Sequence, residues 1–170
     1  MKKTCLILMS MLLQASTVYS APAADAVRLD EVAERGSHVM PFDLEKTLHI
    51  FDKTETGGLQ QVIAKNASDS EQIDLIRKHL TDIAGRFAKG DFSGPKRIHG
   101  DDMPGVNLLS TNASKIRFEY QDLSNGGQIT YRSDDPNLID AIHRYFDAQL
   151  SDHARHAISG GHNMHHGHQP

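Results

Sequence analysis

Apolar and polar residues alternate at Ile116, Phe118 and Tyr120, and again at Ile129 and Tyr131, with Gly126-Gly127 between the two runs. The stretch from His49 to Ala64 follows the same plan around Gly57-Gly58. A period of two gives a strand one apolar face, and glycine permits the positive φ that tight turns require. The pattern therefore predicts two β-hairpins, each with its Gly-Gly pair in the turn. A change to helical spacing follows each hairpin. Ile73, Ile76, Leu80, Ile83, Ala84 and Phe87 form one stripe, and Leu138, Ile139, Ile142, Tyr145, Phe146 and Leu150 form the other. Ser68 or Ser70 stands near the start of the first helix. Ser133-Asp134-Asp135-Pro136 supplies a cap and a first-turn proline for the second. Ile73–Leu80 aligns with Ile139–Phe146, so one ββα unit occurs twice. The expected fold is α+β, a two-layer sandwich with an antiparallel sheet and both helices on one face.

Outside the repeat the pattern weakens. Residues 90–114, rich in Gly, Pro and Asp, predict a long irregular connection between the halves. Residues 21–39 are small, charged and aperiodic, and read as a flexible leader. The folded domain is expected over 40–158, followed by a disordered His-rich tail at 159–170. Residues 1–20 have the order of a signal peptide: Lys2 and Lys3, an apolar run from Cys5 to Leu13 too short to span a bilayer, then small residues before Ala21. This implies a periplasmic or secreted protein with no membrane segment after cleavage.

Cleavage at that point changes the chemistry available. Cys5 is the only cysteine among 170 residues, so the mature chain has no thiolate ligand, disulfide or cysteine nucleophile. It also removes two of the 18 Lys and Arg and none of the 22 Asp and Glu, leaving 16 against 22 and a formal charge of −6. An acidic balance argues against a nucleic-acid partner.

Histidine is the unusual residue, at 11 positions. His49, His79, His99 and His143 lie in or beside the repeat. His153 and His156 share a face if the second helix persists. His162, His165, His166 and His168, with Met164, form a tail whose imidazoles and thioether suit copper, or nickel or zinc. His99 and Met103 lie four apart in the long connection, where Asp101, Asp102 and the glycines also suit an ordinary turn. His79 and His143 sit at the edges of the two apolar stripes. The sharpest expectation is a site inside the domain made of His79, His99, Met103 and His143. It requires the connection to fold over the helix pair. The structural alternative is boundary histidines bonded to loop carbonyls, with Met103 filling the core.

No phosphate loop, dinucleotide fingerprint, His-Glu-x-x-His or Gly-x-Ser-x-Gly is present, so no nucleotide cofactor is expected. A haem held by a histidine and Met103 would lack the Cys-x-x-Cys-His attachment motif.

Met40–Phe51, Gly57–Lys65, Ile98–Gly105 and Ala148–His153 resemble an uncharacterised family of small exported bacterial proteins, over residues 40–156. Some members carry an automatic label of aspartate carbamoyltransferase. That enzyme holds carbamoyl phosphate with a Ser-x-Arg-Thr turn, which this sequence lacks. The resemblance implies export and the domain limits. The function expected is metal binding outside the cytoplasm, as copper buffering or delivery. The rival is a non-catalytic module for a periplasmic protein partner, with incidental histidines. A small-molecule enzyme such as a carbamoyltransferase is the third reading.

Overall fold

The computed structural model describes residues 25–160. Five helices and five strands follow in order: α1 (Ala26–Ser37), β1 (Thr47–Thr54), β2 (Gly57–Ala64), α2 (Ser70–Phe87), α3 (Ser93–His99), α4 (Val106–Thr111), β3 (Arg117–Leu123), β4 (Gly126–Arg132), α5 (Pro136–Asp152) and β5 (Ala157–Ser159). The sheet order is β3-β4-β2-β1-β5, antiparallel except for β5, which runs parallel to β1. The fold is the expected α+β sandwich with an open sheet. No helix among the described residues is long and apolar enough to cross a membrane.

The two ββα units meet along β2 and β4. Gln60 and Ile129 hold equivalent positions in the two hairpins, and they face each other across this antiparallel pair. The repeat thus closes on a local dyad at the sheet centre. Each helix then crosses over the dyad: α2 packs mainly on β4 and β3, and α5 on β2 and β1. Neither unit can bury its own helix on its own hairpin alone, so the halves stabilise each other. Ile76, Leu80, Ile142 and Phe146 are fully buried against Val62, Ile129 and Tyr131.

The Gly-Gly pairs do not form the turns. Glu55-Thr56 and Ser124-Asn125 do, and each Gly-Gly pair opens the second strand of its hairpin. The glycines are there for clearance. A Cβ on Gly58 would lie 2.4 Å from Phe146 Cε2, and one on Gly127 would lie 2.9 Å from Tyr120 Cε2 and 3.2 Å from Leu80 Cδ1. Helix and side-chain packing explains Gly58 and Gly127, whereas a Cβ on Gly57 or Gly126 would meet the neighbouring strand's backbone at Tyr131 O or Val62 O; of the four glycines, Gly57 alone has positive φ.

Two irregular stretches prove to be built. The segment read as a leader carries α1, capped by the Asp25 carboxylate at Arg28 N and anchored by Val32, which is fully buried. Its stripe of Leu29, Val32, Ala33 and Gly36 is short and contains glycine, which hid the helical period. The connection over 90–114 holds α3 and α4, split at Gly100 and Gly105, both of positive φ. Phe92, Ile98, Met103, Val106 and Leu109 are buried there, so this segment is part of the core.

Candidate histidine cavity

Four histidines from four elements line one small cavity of about 50 Å³: His49 of β1, His79 of α2, His99 at the end of α3 and His153 just after α5. Alternation on β1 turns His49 inward with Phe51. His79 lies edge-on to Phe42, ring centres 5.5 Å apart. Gly100 ends α3 and His153 caps α5, so His99 and His153 stand where two helix ends meet. Met40, Gln60, Tyr145 and Gln149 complete the polar and polarisable lining.

The rings are packed. His49 and His153 stack, 5.5 Å between centres and 5° between planes, and His99 meets His153 at 4.9 Å and 87°. Burial lowers the basicity of His49, helped by the neighbouring His79, to about 4. Burial lowers His79 to about 4 as well, and holds His153 well below the usual imidazole range. All three are neutral at pH 7, the form in which imidazole binds metals.

His99 is the best-oriented member. Its Nδ1 lies 2.7 Å from Asp152 Oδ2, while its Nε2 is buried with no hydrogen-bond partner. In a neutral ring beside the ionised carboxylate, the proton is on Nδ1 and the lone pair on Nε2. Arg28 donates to both Asp152 oxygens, at 2.6 and 3.3 Å, and to the His99 carbonyl at 2.7 Å. Burial would raise the Asp152 carboxyl, but these hydrogen bonds from His99 and Arg28 outweigh it and hold it at about 2. His49 Nδ1 is likewise buried without a partner. His156 takes no part in the cavity: its Nε2 bonds Glu45 Oε1 at 2.7 Å.

The site expected from sequence is therefore not assembled as a set. His79 and His99 reach the cavity. His143 does not: its Nε2 lies 3.0 Å from Thr54 O and 2.9 Å from Gly57 O, at the β1–β2 turn. Ten residues of helix separate it from His153, about 15 Å at 1.5 Å per residue. Met103 is buried on the other side of His99, in an adjoining groove. His49 and His153 take their places, and Met40 replaces Met103 as the thioether. His49 had a sequence signal, since the alternation of β1 places it with Phe51. Met40, just before the first strand, had none. The tail positions His162, Met164, His165, His166 and His168 lie outside the described residues.

Among the described residues no three His, Cys, Asp or Glu side chains are placed to hold a metal ion as they stand. The spacing and the orientation differ in this respect. Imidazoles sharing a tetrahedral ion at bonds of about 2.0–2.1 Å have ring centres roughly 5 Å apart. The observed 4.9 and 5.5 Å fit that spacing, but stacked rings do not aim their nitrogens at one point. At about 50 Å³ the cavity would admit an ion or a few waters, and falls far short of the roughly 300 Å³ of the smallest usual ligand pockets. No protein-family model matches the chain, and neither a curated protein nor a solved structure matches it.

Proposed function

We propose that this is an exported metal-binding protein that buffers or hands on copper, with the His49–His79–His99–His153 cavity as its internal site and the histidine tail as a capture arm. The observation that carries it is His99: one ring nitrogen is fixed by a carboxylate and the other is buried and empty. Metal-ligating histidines are commonly oriented by just such a carboxylate behind the ring. His153 and His49 follow it at ring spacings of 4.9 and 5.5 Å, His79 lines the same cavity, and Met40 adds a soft donor suited to Cu(I). Loading requires the His49 and His153 rings to turn out of their stack.

The test is Cu(I) competition titration of the full chain with His162, His165, His166 and His168 changed to Gln. This parent should bind one ion. His99→Gln and His153→Gln should each weaken binding at least tenfold with unchanged circular dichroism, and His143→Gln should not. Equal affinities across these variants would overturn the cavity reading.

A second reading, a protein-interaction module, draws on the other sheet face. Among the described residues no helix covers it, and Leu48, Ile50, Leu59 and Ile63 lie half-buried there beside Ile158, 43 % exposed. Concentration-dependent sedimentation of the metal-free chain would favour it.

A further inference from the structure

His79 and His99 each belong to two concave surfaces. Both line the cavity. His79 also lines a groove of about 700 Å³ along α2, and His99 one of about 580 Å³ between α1, the α3–α4 turn and α5. The two grooves differ in charge. Along α2, Lys78, Arg86 and Lys89 face one acid, Asp82. Beside α5, Asp102, Asp147 and Asp152 outnumber Arg28 and Arg144.

His99 forms the partition between this second groove and the cavity. Its Nδ1 is bonded to Asp152, a residue of the groove. Its Nε2, on the far edge of the ring, is buried and unpartnered, in a residue only 5 % exposed. Met103, 4 % exposed, lines the same groove.

We propose that the groove lined by Asp102, Met103 and Asp152 is the port through which Cu(I) reaches the cavity, with His99 as the gate and Arg28 as its latch. This rests on the cavity reading above. A cation is steered toward the acidic groove and away from the basic one, because the field in a cleft sets local ion concentration. Met103 supplies a soft donor that a hydrated hard cation would not favour. Arg28 holds Asp152 and the His99 carbonyl together, so the ring turns only when that contact loosens.

Rate and equilibrium separate the two claims. The tail-substituted full chain is mixed in stopped flow with Cu(I) carried by a chromophoric chelator at low ionic strength. Asp102→Asn and Met103→Leu should load about threefold slower or more, at unchanged final occupancy. Added salt should abolish the Asp102 effect and spare the Met103 effect, since salt screens charge alone. Arg28→Gln should load faster. Rates equal to the parent in Asp102→Asn and Met103→Leu, at full occupancy, would overturn the port while leaving the cavity standing. Faster loading in Lys78→Gln and Lys89→Gln would do the same by placing the route along α2. Slower loading in Arg28→Gln would overturn the latch. A parent that binds no copper would overturn cavity and port together.

Discussion

Arg77 and His143 do the same work in the two halves of the molecule. They hold equivalent positions on α2 and α5. Arg77 donates to Leu123 O at 2.7 Å and Gly126 O at 3.2 Å, which close the β3–β4 turn. His143, facing Thr54 O and Gly57 O at the equivalent β1–β2 turn, carries its proton on Nε2 and donates to both. Each crossed helix thus ties down the other unit's hairpin. His143 is accounted for by this role.

Removing either donor should destabilise the fold without touching the cavity. His143→Ala should lose about 1 kcal/mol and Arg77→Ala about 2 kcal/mol, because a charged donor is worth more than a neutral one. Urea unfolding measures both. A loss of bound copper in His143→Ala would place the site elsewhere.

Gly58 should tolerate no side chain while Phe146 lies over it. Gly58→Ala should cost several kcal/mol, since its Cβ would meet Phe146 Cε2 at 2.4 Å and Asp52 O at 2.8 Å. Phe146→Ala alone should cost about 3–5 kcal/mol as a core truncation. The double variant should cost less than the sum, because the truncation removes one of the two clashes. Strict additivity in a double-mutant cycle would contradict this packing.

The metal-free protein should lose stability as pH falls from about 6.5 to about 4. His49 is held at about 4 when folded, against 6.5 for an ordinary imidazole. Above 6.5 both states are neutral and nothing changes. Below it the unfolded chain takes a proton that the folded chain refuses, so unfolding gains, by about 3 kcal/mol for His49 alone once pH reaches 4. His79 and His153 act in the same direction. His79, His156 and His99 act electrostatically on His49, and His49, His99 and His156 on His153; Asp152 is the acid acting on His153, and Asp82 on His79, where Arg86 opposes it. Asp152, held at about 2 by His99 and Arg28 against the cost of burial, gives stability above the usual 3.8 that is lost below it. Urea midpoints should hold from pH 7.5 to about 6.5 and fall from there to 4.5, less steeply in His49→Gln. A flat profile would mean the cavity is not dry.

α1 should loosen independently of the sheet. Arg28–Asp152 and Arg155–Asp30 hold it, with Val32 as its fully buried side chain. In Arg28→Met, amide hydrogen exchange should quicken over 28–37 and stay unchanged in β2 and β4. Uniform quickening would make α1 part of the global folding unit.

The ββα repeat, the fold class and the two apolar stripes were legible in the sequence because they are local and periodic. Alternation and helical spacing act over a few residues, and burial of Ile76 and Phe146 follows from them. The turns were misplaced by two residues because glycine serves both a turn and a close contact, and composition does not distinguish them. α3 and α4 were missed because each is short, held by burial of Phe92 and Leu109 rather than by a period; α1 keeps helical spacing at Leu29, Val32, Ala33 and Gly36, but small and charged residues around that stripe masked it.

The histidine site divides the same way. Chain chemistry alone made histidine and methionine the donors available once Cys5 is set aside. Which of them meet depended on crossing the helices over the dyad and bringing β5 parallel to β1. The crossing carries His143 to a hairpin turn. It leaves the far end of α5 beside α3 and β1, where His153, His99 and His49 come together. These contacts join residues some fifty to a hundred apart, and no local pattern records them. Only the shared burial of the two layers decided them.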